Sequence, residues 1–212
     1  MAVPRLLALM PRDNRSLRLG QLFLGLALYG ISASMLVLSG LGLDPWDVFH
    51  QGLSHRIGLG IGSWTNIIGA VVLLCWIPLR QRPGVGTILN VALVGTVMDL
   101  VLGAFDPPGG MAARVTLLVV GIVLNAIATG AYIGAGLGPG PRDGLTTGLA
   151  ARGLSIRVVR TSIELAVLAT GWLLGGTVGI GTLAYALAMG PLTHITIPRL
   201  ALRATAEAPA GD

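Results

Sequence analysis

The sequence predicts an all-α integral membrane protein built from two related halves. Three observations predict this fold class. The composition is 53% hydrophobic and 11% charged, with a mean hydropathy of +0.80. Six apolar stretches are each long enough to cross a bilayer, and the second half of the chain repeats the first. Because soluble domains carry about 25% charged residues, we expect a multi-pass protein whose main partner is the lipid bilayer.

Each of the six apolar stretches is close in length to the roughly 20 residues that a helix needs to cross a hydrocarbon core about 30 Å thick. Barrel strands are excluded, because they would alternate in polarity over about ten residues. We expect residues 1–17 to form a cytoplasmic leader and 199–212 a cytoplasmic tail. The predicted spans are 18–39, 61–79, 85–105, 113–135, 158–176 and 178–198.

A motif that occurs twice defines the two halves. The stretch GLGLDPWDVFHQGL at 40–53 returns 96 positions later as GLGPGPRDGLTTGL at 136–149. After the loss of one residue, GVGTILNVALVG at 84–95 matches GIGTLAYALAMG at 179–190. Self-similarity at a fixed period indicates a duplicated unit of about 95 residues. The two repeats are 18–105 and 113–198.

The arginines predict how the halves are oriented. The chain has fourteen arginines and no lysine, and only Arg56 and Arg114 fall outside when the N-terminus is inside. This positive-inside distribution predicts that both termini are cytoplasmic and that the number of spans is even. Each half contributes three spans, an odd number, so the second half must enter from the opposite side. We therefore expect two inverted three-helix repeats.

A short helix is predicted after the first span of each half. Asp44 suits an N-cap and Pro45 suits the first helical position of a helix over 45–55. Its apolar face favours a helix lying in the membrane interface, with Trp46 in the aromatic belt. The alternative is a re-entrant helix whose N-terminus points into a cavity. The second copy, 141–151, lacks the aromatic residues and suits a re-entrant or loop segment better.

Asp47 and Asp143 have the strongest claim to a functional role. The two acids occupy equivalent positions in the two copies. The acid is retained although the residue before it is Trp46 in the first copy and Arg142 in the second. Each acid either satisfies backbone N–H groups in the first turn of its short helix or contacts a substrate at the outer or inner mouth. The candidate substrate or gate residues are Asp47, Asp143, Pro45, Pro141 and Arg142.

Three ionisable residues inside the predicted spans are further candidates, because such groups are costly in a bilayer. Asp99 lies toward the outer end of the third span, and its counterpart by position is His194 in the sixth. Glu164 is expected at a depth similar to that of His194. The three residues either form structural pairs or relay charge. Weaker candidates, because a single amide or phenol can simply cross-link helices, are Asn66, Asn90, Asn125, Tyr132 and Tyr185.

The residue patterns favour no enzyme. The chain has no serine, histidine and acid grouping at a recognisable spacing, and its three histidines form no ligand cluster. We expect no catalytic residue, no cofactor and no metal. Nucleic-acid binding is not expected either, because the arginines flank apolar spans. Glycine pairs four residues apart, such as Gly130 with Gly134 and Gly171 with Gly175, favour close packing of helices within the chain, and the same faces could instead pack a homodimer.

At GLGLDPWDVFHQGL and GVGTILNVALVG, the chain resembles the YczE/YitT-type bacterial membrane proteins, and the resemblance covers residues 18–198. It implies a polytopic protein of the bacterial inner membrane without established catalytic residues. In some relatives it also implies a link to secondary-metabolite production. The second copy departs from the pattern, with PRD in place of PWD, so a role for the aromatic residue does not carry over to both loops.

Two functions fit these observations. The first is a small-solute transporter or permease that rocks one repeat against the other, with Asp47 and Asp143 at opposite mouths. The second is a non-transporting scaffold or accessory factor that supports a partner enzyme or assembly. Its docking surface would be the cytoplasmic segment 142–160 and the tails, which are short. No pattern in the sequence names the solute.

Overall fold

The structure, a computed structural model, describes residues 14–202, and all regular structure in that range is helical. The all-α prediction is therefore confirmed. Residues 1–13 of the predicted leader and 203–212 of the predicted tail lie outside the described residues. The described helices are α1 (Arg15–Ser39), α2 (Pro45–Ile57), α3 (Ile61–Leu74), α4 (Trp76–Leu79), α5 (Val85–Ala104), α6 (Met111–Gly134), α7 (Pro141–Ala150), α8 (Ile156–Leu173) and α9 (Ile180–Leu200).

Five helical segments in the described range are long and apolar enough to cross a membrane. They are α1, the segment Ile61–Leu79 that joins α3 and α4, α5, α6 and α9. A multi-pass membrane protein is thus supported. The predicted span 158–176 falls on α8, which carries Arg157, Arg160 and Glu164 and is not among the five. The count of six spans stays a prediction.

Helices α1 and α6 form the centre of the bundle and run antiparallel along their length. Near one end Arg18 Nη1 donates to Ala135 O at 3.0 Å, and near the other Arg114 Nε donates to Ser39 O at 2.6 Å. A Cβ atom at Gly25 would lie 2.7 Å from a backbone nitrogen of α6. The glycine therefore lets the two backbones approach closely.

The chain turns back into the bundle after α1 and again after α6. Each turn contains two glycines with positive φ, at 59° for Gly40 and 120° for Gly42, then 69° for Gly136 and 124° for Gly138. Residues with a side chain rarely adopt these conformations. The GLG sequence that opens both copies of the motif is therefore required by the geometry of the turn.

Matching hydrogen bonds hold the two turns in place. Leu41 O accepts from Gly181 N at the start of α9, and Leu137 O accepts from Gly86 N at the start of α5, both at 2.8 Å. The four residues occupy equivalent positions in the two copies. Each turn is thus fixed by the last long helix of the other half.

The short helices also pack on the opposite half. Helix α2 lies against α8, where a Cβ atom at Gly52 would come within 2.6 Å of Gly171 O. Helix α7 lies against α3 and α4. There the Trp76 indole nitrogen donates to Pro141 O at 3.0 Å, and its ring fills the space beside Gly144. The two halves are therefore interlocked rather than placed side by side.

The glycines of the pairs named above pack against other helices of the same chain. Gly130 on α6 lies against Thr196 of α9, and Gly134 lies against Leu200 of the same helix. Gly171 on α8 lies against the backbone of Phe49. These faces are therefore covered by the chain itself, and the structure gives no support from them to a second copy.

The two halves differ at one interface. Helix α3 packs along α5 through Asn66, whose Oδ1 accepts from Gly95 N at 3.0 Å. Asp99 adds to this contact by accepting from Gly62 N at 2.8 Å and Ser63 Oγ at 2.6 Å. The equivalent helices α8 and α9, both described throughout, hardly touch each other. The bundle is therefore closed between α3 and α5 and open between α8 and α9.

Candidate functional site

A cavity of about 460 Å³ lies where the N-termini of α2 and α7 meet. Both halves of the chain line it, and all the described helices except α4 contribute residues. Its volume lies within the range of small-molecule sites in proteins. It is the part of the described chain in which the duplicated motifs, one from each half, come together.

Asp44 fixes the start of α2 at this cavity. Its Oδ1 accepts from Trp46 N at 2.9 Å and from Asp47 N at 3.3 Å, and Pro45 occupies the first helical position. The predicted N-cap is confirmed. The first turn of the helix is buried, with Asp47 only 2% exposed. Such burial is expected of the re-entrant alternative, in which the N-terminus of the helix points into a cavity.

Arg142 joins the two short helices. Its guanidinium lies 3.4 Å from Asp44 Oδ1 and 3.8 Å from Asp47 Oδ1, and both acids are buried. The guanidinium carbon also lies 5.0 Å from the centre of the Trp46 ring, within the range of a cation–π contact. Because Trp46 and Arg142 occupy equivalent positions in the two copies, each residue meets its own counterpart. The change from PWD to PRD therefore created a complementary pair.

The two acids predicted at opposite mouths both lie beside this one cavity. Asp47 Oδ1 is 3.1 Å from His50 Nδ1, one turn further along α2. Asp143 lines the cavity, and its Oδ2 accepts from the Tyr132 hydroxyl at 3.1 Å. The acids come together because the N-termini of the short helices point toward each other. Pro45 and Pro141 line the cavity at the same two helix starts.

The three candidates for a charge relay lie in different surroundings. Asp99 fixes the start of α3, as described above. Glu164 lines the cavity and accepts from Arg160 Nε at 2.9 Å. His194 is exposed on α9. Glu164 thus contributes to the cavity, whereas the structure does not bring the three residues into contact.

Polar atoms in the cavity wall remain without partners. Asp44 Oδ2, His50 Nε2 and Thr129 Oγ1 are buried and have no hydrogen-bond partner among the described residues. All three residues line the cavity. Buried polar atoms are nearly always paired in folded proteins. The wall of the cavity therefore contains three polar residues whose hydrogen-bonding capacity is not used within the described chain.

Sequence reasoning missed several residues of the site, among them Tyr29, His50 and Arg160. Two of them could have been found by spacing, since His50 lies three residues after Asp47 and Arg160 four residues before Glu164 on their helices. Tyr29 could not, because only the packing of α1 on α6 brings it beside the cavity. Its ring lies edge-to-face with that of Tyr132, with 6.0 Å between the ring centres.

The residues present do not suggest a metal centre. Among residues 14–202, no group of three or more His, Cys, Asp and Glu side chains is arranged to hold a metal ion. The cavity wall instead combines carboxylates, guanidiniums and aromatic rings. Such a wall suits an organic molecule that is bound by hydrogen bonds and charge.

Comparison with known proteins places the chain among membrane proteins. The model of a family of unknown function (DUF6198) matches residues 16–198. The chain is 38% identical over 174 residues to an uncharacterized protein of Haemophilus influenzae, covering 82% of this chain and 80% of that one. It is 32% identical over 180 residues to the uncharacterized membrane protein YczE of Bacillus subtilis, covering 84% of each chain.

A third relative is the uncharacterized protein YyaS of Bacillus subtilis, which is 30% identical over 182 residues, covering 82% of this chain and 90% of that one. No solved structure matches the chain. The family match extends over most of the sequence, including both copies of the motif and every residue of the cavity wall. The chain therefore belongs to the DUF6198 family, a YczE-type family of membrane proteins of unknown function.

Proposed function

We propose that the protein is a small-solute transporter of the permease type, with the cavity as its binding site. The observation that carries the proposal is the meeting of two helix N-termini, one from each half, at a single cavity. In secondary transporters, substrate sites lie between repeats at the ends of discontinuous helices. No catalytic residue is part of the proposal.

The proposal includes six membrane spans arranged as two inverted repeats. Inverted copies must run in opposite directions, and the antiparallel packing of α1 and α6 supports this. The matched hydrogen bonds of Leu41 with Gly181 and of Leu137 with Gly86 support it further, because each half makes the same contact with the other, as a two-fold relation requires. Helix α8 would be the remaining span, with its charged residues in its first three turns, near enough to one interface for long side chains to reach headgroups.

The proposed location is the bacterial inner membrane, with both termini in the cytoplasm. In this orientation the arginines lie predominantly inside. The cavity then faces the cytoplasm through the gap between α8 and α9, where Arg160 and Thr193 form part of its wall. On the outer side, α2 is held against the end of α8, because Gln51 Oε1 accepts from Thr177 N at 2.6 Å. In the proposal, this arrangement represents the inward-facing state.

Transport requires a second conformation, open to the other side of the membrane. The two repeats indicate what that conformation is. In an inverted repeat, each half can adopt the arrangement of the other. Helix α8 would then close on α9, and α3 would leave α5. Asp99 holds the interface that is closed in this structure, and its counterpart His194 is exposed on α9, one of the two helices that border the open one. These two candidates therefore act at the gates in the proposal and not as a charge relay.

Two engineered disulfides, one in each half, test whether the halves exchange their open and closed arrangements. A Cβ atom at Gly69 would lie 3.8 Å from Val91 Cα, which is close enough for Gly69→Cys and Val91→Cys to form a disulfide between α3 and α5. The counterpart pair is Glu164→Cys with Ala186→Cys between α8 and α9. Both pairs are made in a Cys75→Ser background.

We expect the first disulfide to form readily and the second to form in a smaller population. When both pairs are combined in one chain, the formation of either should prevent the other. Mass-tag labelling of free thiols on a gel counts the bonds in each molecule. Molecules that carry both disulfides, or a second pair that never oxidises, would contradict alternating access and would favour the scaffold function.

A further inference from the structure

The charges of the cavity do not balance. Three carboxylates and two guanidiniums line it, and a fourth carboxylate, that of Asp47, lies 3.8 Å from Arg142. Arg160 is matched by Glu164, and Arg142 is shared by Asp44 and Asp47. Asp143 faces the cavity with a phenol as its partner. The wall therefore carries an excess of negative charge, which opposes an anion and attracts a cation. The acids are Asp44, Asp47, Asp143 and Glu164.

Two buried acceptor atoms in the same wall indicate what the cation must supply. In its ionised form the Asp44 carboxylate can only accept a hydrogen bond at Oδ2. His50 Nδ1 lies 3.1 Å from the Asp47 carboxylate and 3.0 Å from Thr65 Oγ1. In the tautomer in which Nδ1 donates to Asp47, His50 Nε2 is a bare acceptor. Both residues are 2% exposed, line the cavity, and leave these atoms without a partner in the described chain. A ligand that donates hydrogen bonds would satisfy both atoms.

The rest of the wall suits an organic cation better than a metal ion. Tyr29, Trp46, Tyr132 and Tyr185 all line the cavity, and aromatic faces attract ammonium groups. A metal ion would need several oxygen ligands that converge on one point. As noted above, the described residues contain no such group. The cavity volume also exceeds what a bare ion fills.

We infer that the cavity binds a small protonated amine, whose N–H groups would meet the unpaired acceptors and whose charge would be offset by Asp143. This inference rests on the proposed function, because it names the substrate class of the same site. The ammonium group would lie near the starts of α2 and α7. Its organic part would lie against the tyrosine rings.

A series of four ligands of similar shape tests the inference on the purified full-length protein by titration calorimetry. The ligands are benzylamine, benzyl alcohol, benzoate and benzyltrimethylammonium. We expect benzylamine to bind at least about tenfold more tightly than benzyl alcohol, since a charge-assisted hydrogen bond is worth more than a neutral one. Benzoate should not bind. The quaternary ion should bind more weakly than benzylamine because it has no N–H group.

A matched pair of substitutions locates the site. Asp143→Asn should weaken benzylamine binding about tenfold, whereas Asp106→Asn, the same change at an exposed loop position, should leave it unaltered. Equal binding of benzylamine and benzyl alcohol, absence of benzylamine binding, or tighter binding of benzoate would overturn the inference.

Uptake into proteoliposomes separates this inference from the proposed function. Binding of benzylamine without its uptake would keep the amine site and contradict the transporter. Uptake of benzoate in preference to benzylamine would keep the transporter and overturn the amine site. Uptake of benzylamine that is lost in Asp143→Asn and retained in Asp106→Asn would support both.

Discussion

Arg142 lies over the ring of Trp46, its own counterpart in the other half of the chain, with 5.0 Å between the guanidinium carbon and the ring centre. Residues at equivalent positions meet in this way only near an axis that relates the two halves. A homodimer of two identical halves would have placed either two tryptophans or two arginines there. After duplication within one chain, the two positions could diverge into an aromatic ring and a cation that attract each other.

Arg142 should also be the main source of electrostatic stability in the site. Arg142→Gln would leave Asp44 and Asp47 buried without their cation, so we expect it to lower the free energy of unfolding by roughly 2–4 kcal/mol. Arg157→Gln, at an exposed position, should have almost no effect. Thermal unfolding in detergent, followed by tryptophan fluorescence, compares the two variants.

A double-mutant cycle is the control for that prediction. Asp47→Asn added to Arg142→Gln should cost less than the sum of the two single substitutions, because the neutral amide no longer needs the cation. Strictly additive losses would mean that Asp47 has no part in the stabilisation that Arg142 provides.

The glycine turns should tolerate no side chain. Gly42 has a φ of 120°, and a Cβ atom there would lie 2.8 Å from Thr182 N. We expect Gly42→Ala to destabilise the protein by at least about 1–3 kcal/mol. Gly109→Ala is the matched control, because nothing lies within 4 Å of its Cβ position. The same thermal assay measures both, and equal melting temperatures would contradict the role assigned to the turn.

Trp76 should matter far more than a tryptophan on the outer face of the bundle. Its side chain is 2% exposed, fills the space beside Gly144 and donates to Pro141 O. We expect Trp76→Ala to cost about 3–5 kcal/mol. Trp172→Ala removes the same side chain at a position that is 65% exposed and should cost little. A large loss at Trp172 would reveal a contact that the structure does not contain.

Much of the fold could be predicted from sequence because it depends on local patterns. Long apolar runs predict helices wherever they occur, and the Asp44 and Pro45 pair predicts a helix start from capping chemistry alone. The GLG turns could be recognised because they are repeated. None of these inferences requires knowledge of which helix packs on which.

The location of α2 could not be predicted in the same way. An apolar face suits a lipid interface and a protein interior equally well, so the face around Trp46 could not distinguish the two. The deciding partners, Arg142 on α7 and Gly171 on α8, lie far away in sequence. The same holds for Asp99. In the sequence it is an isolated charge, whereas in the structure it accepts a hydrogen bond from the backbone of Gly62.

The central claim is that α2 and α7 enter the bundle from opposite sides and meet at their N-termini. Arg56 and Arg152, at the far ends of these two helices, are both exposed, so cysteines placed there report the side from which each helix enters. The measurement is labelling of Arg56→Cys and Arg152→Cys, each in a Cys75→Ser background, with a membrane-impermeant thiol reagent in intact cells. The account predicts that position 56 is labelled in intact cells and position 152 only after the membrane is opened. Labelling of both positions from the same side would contradict it.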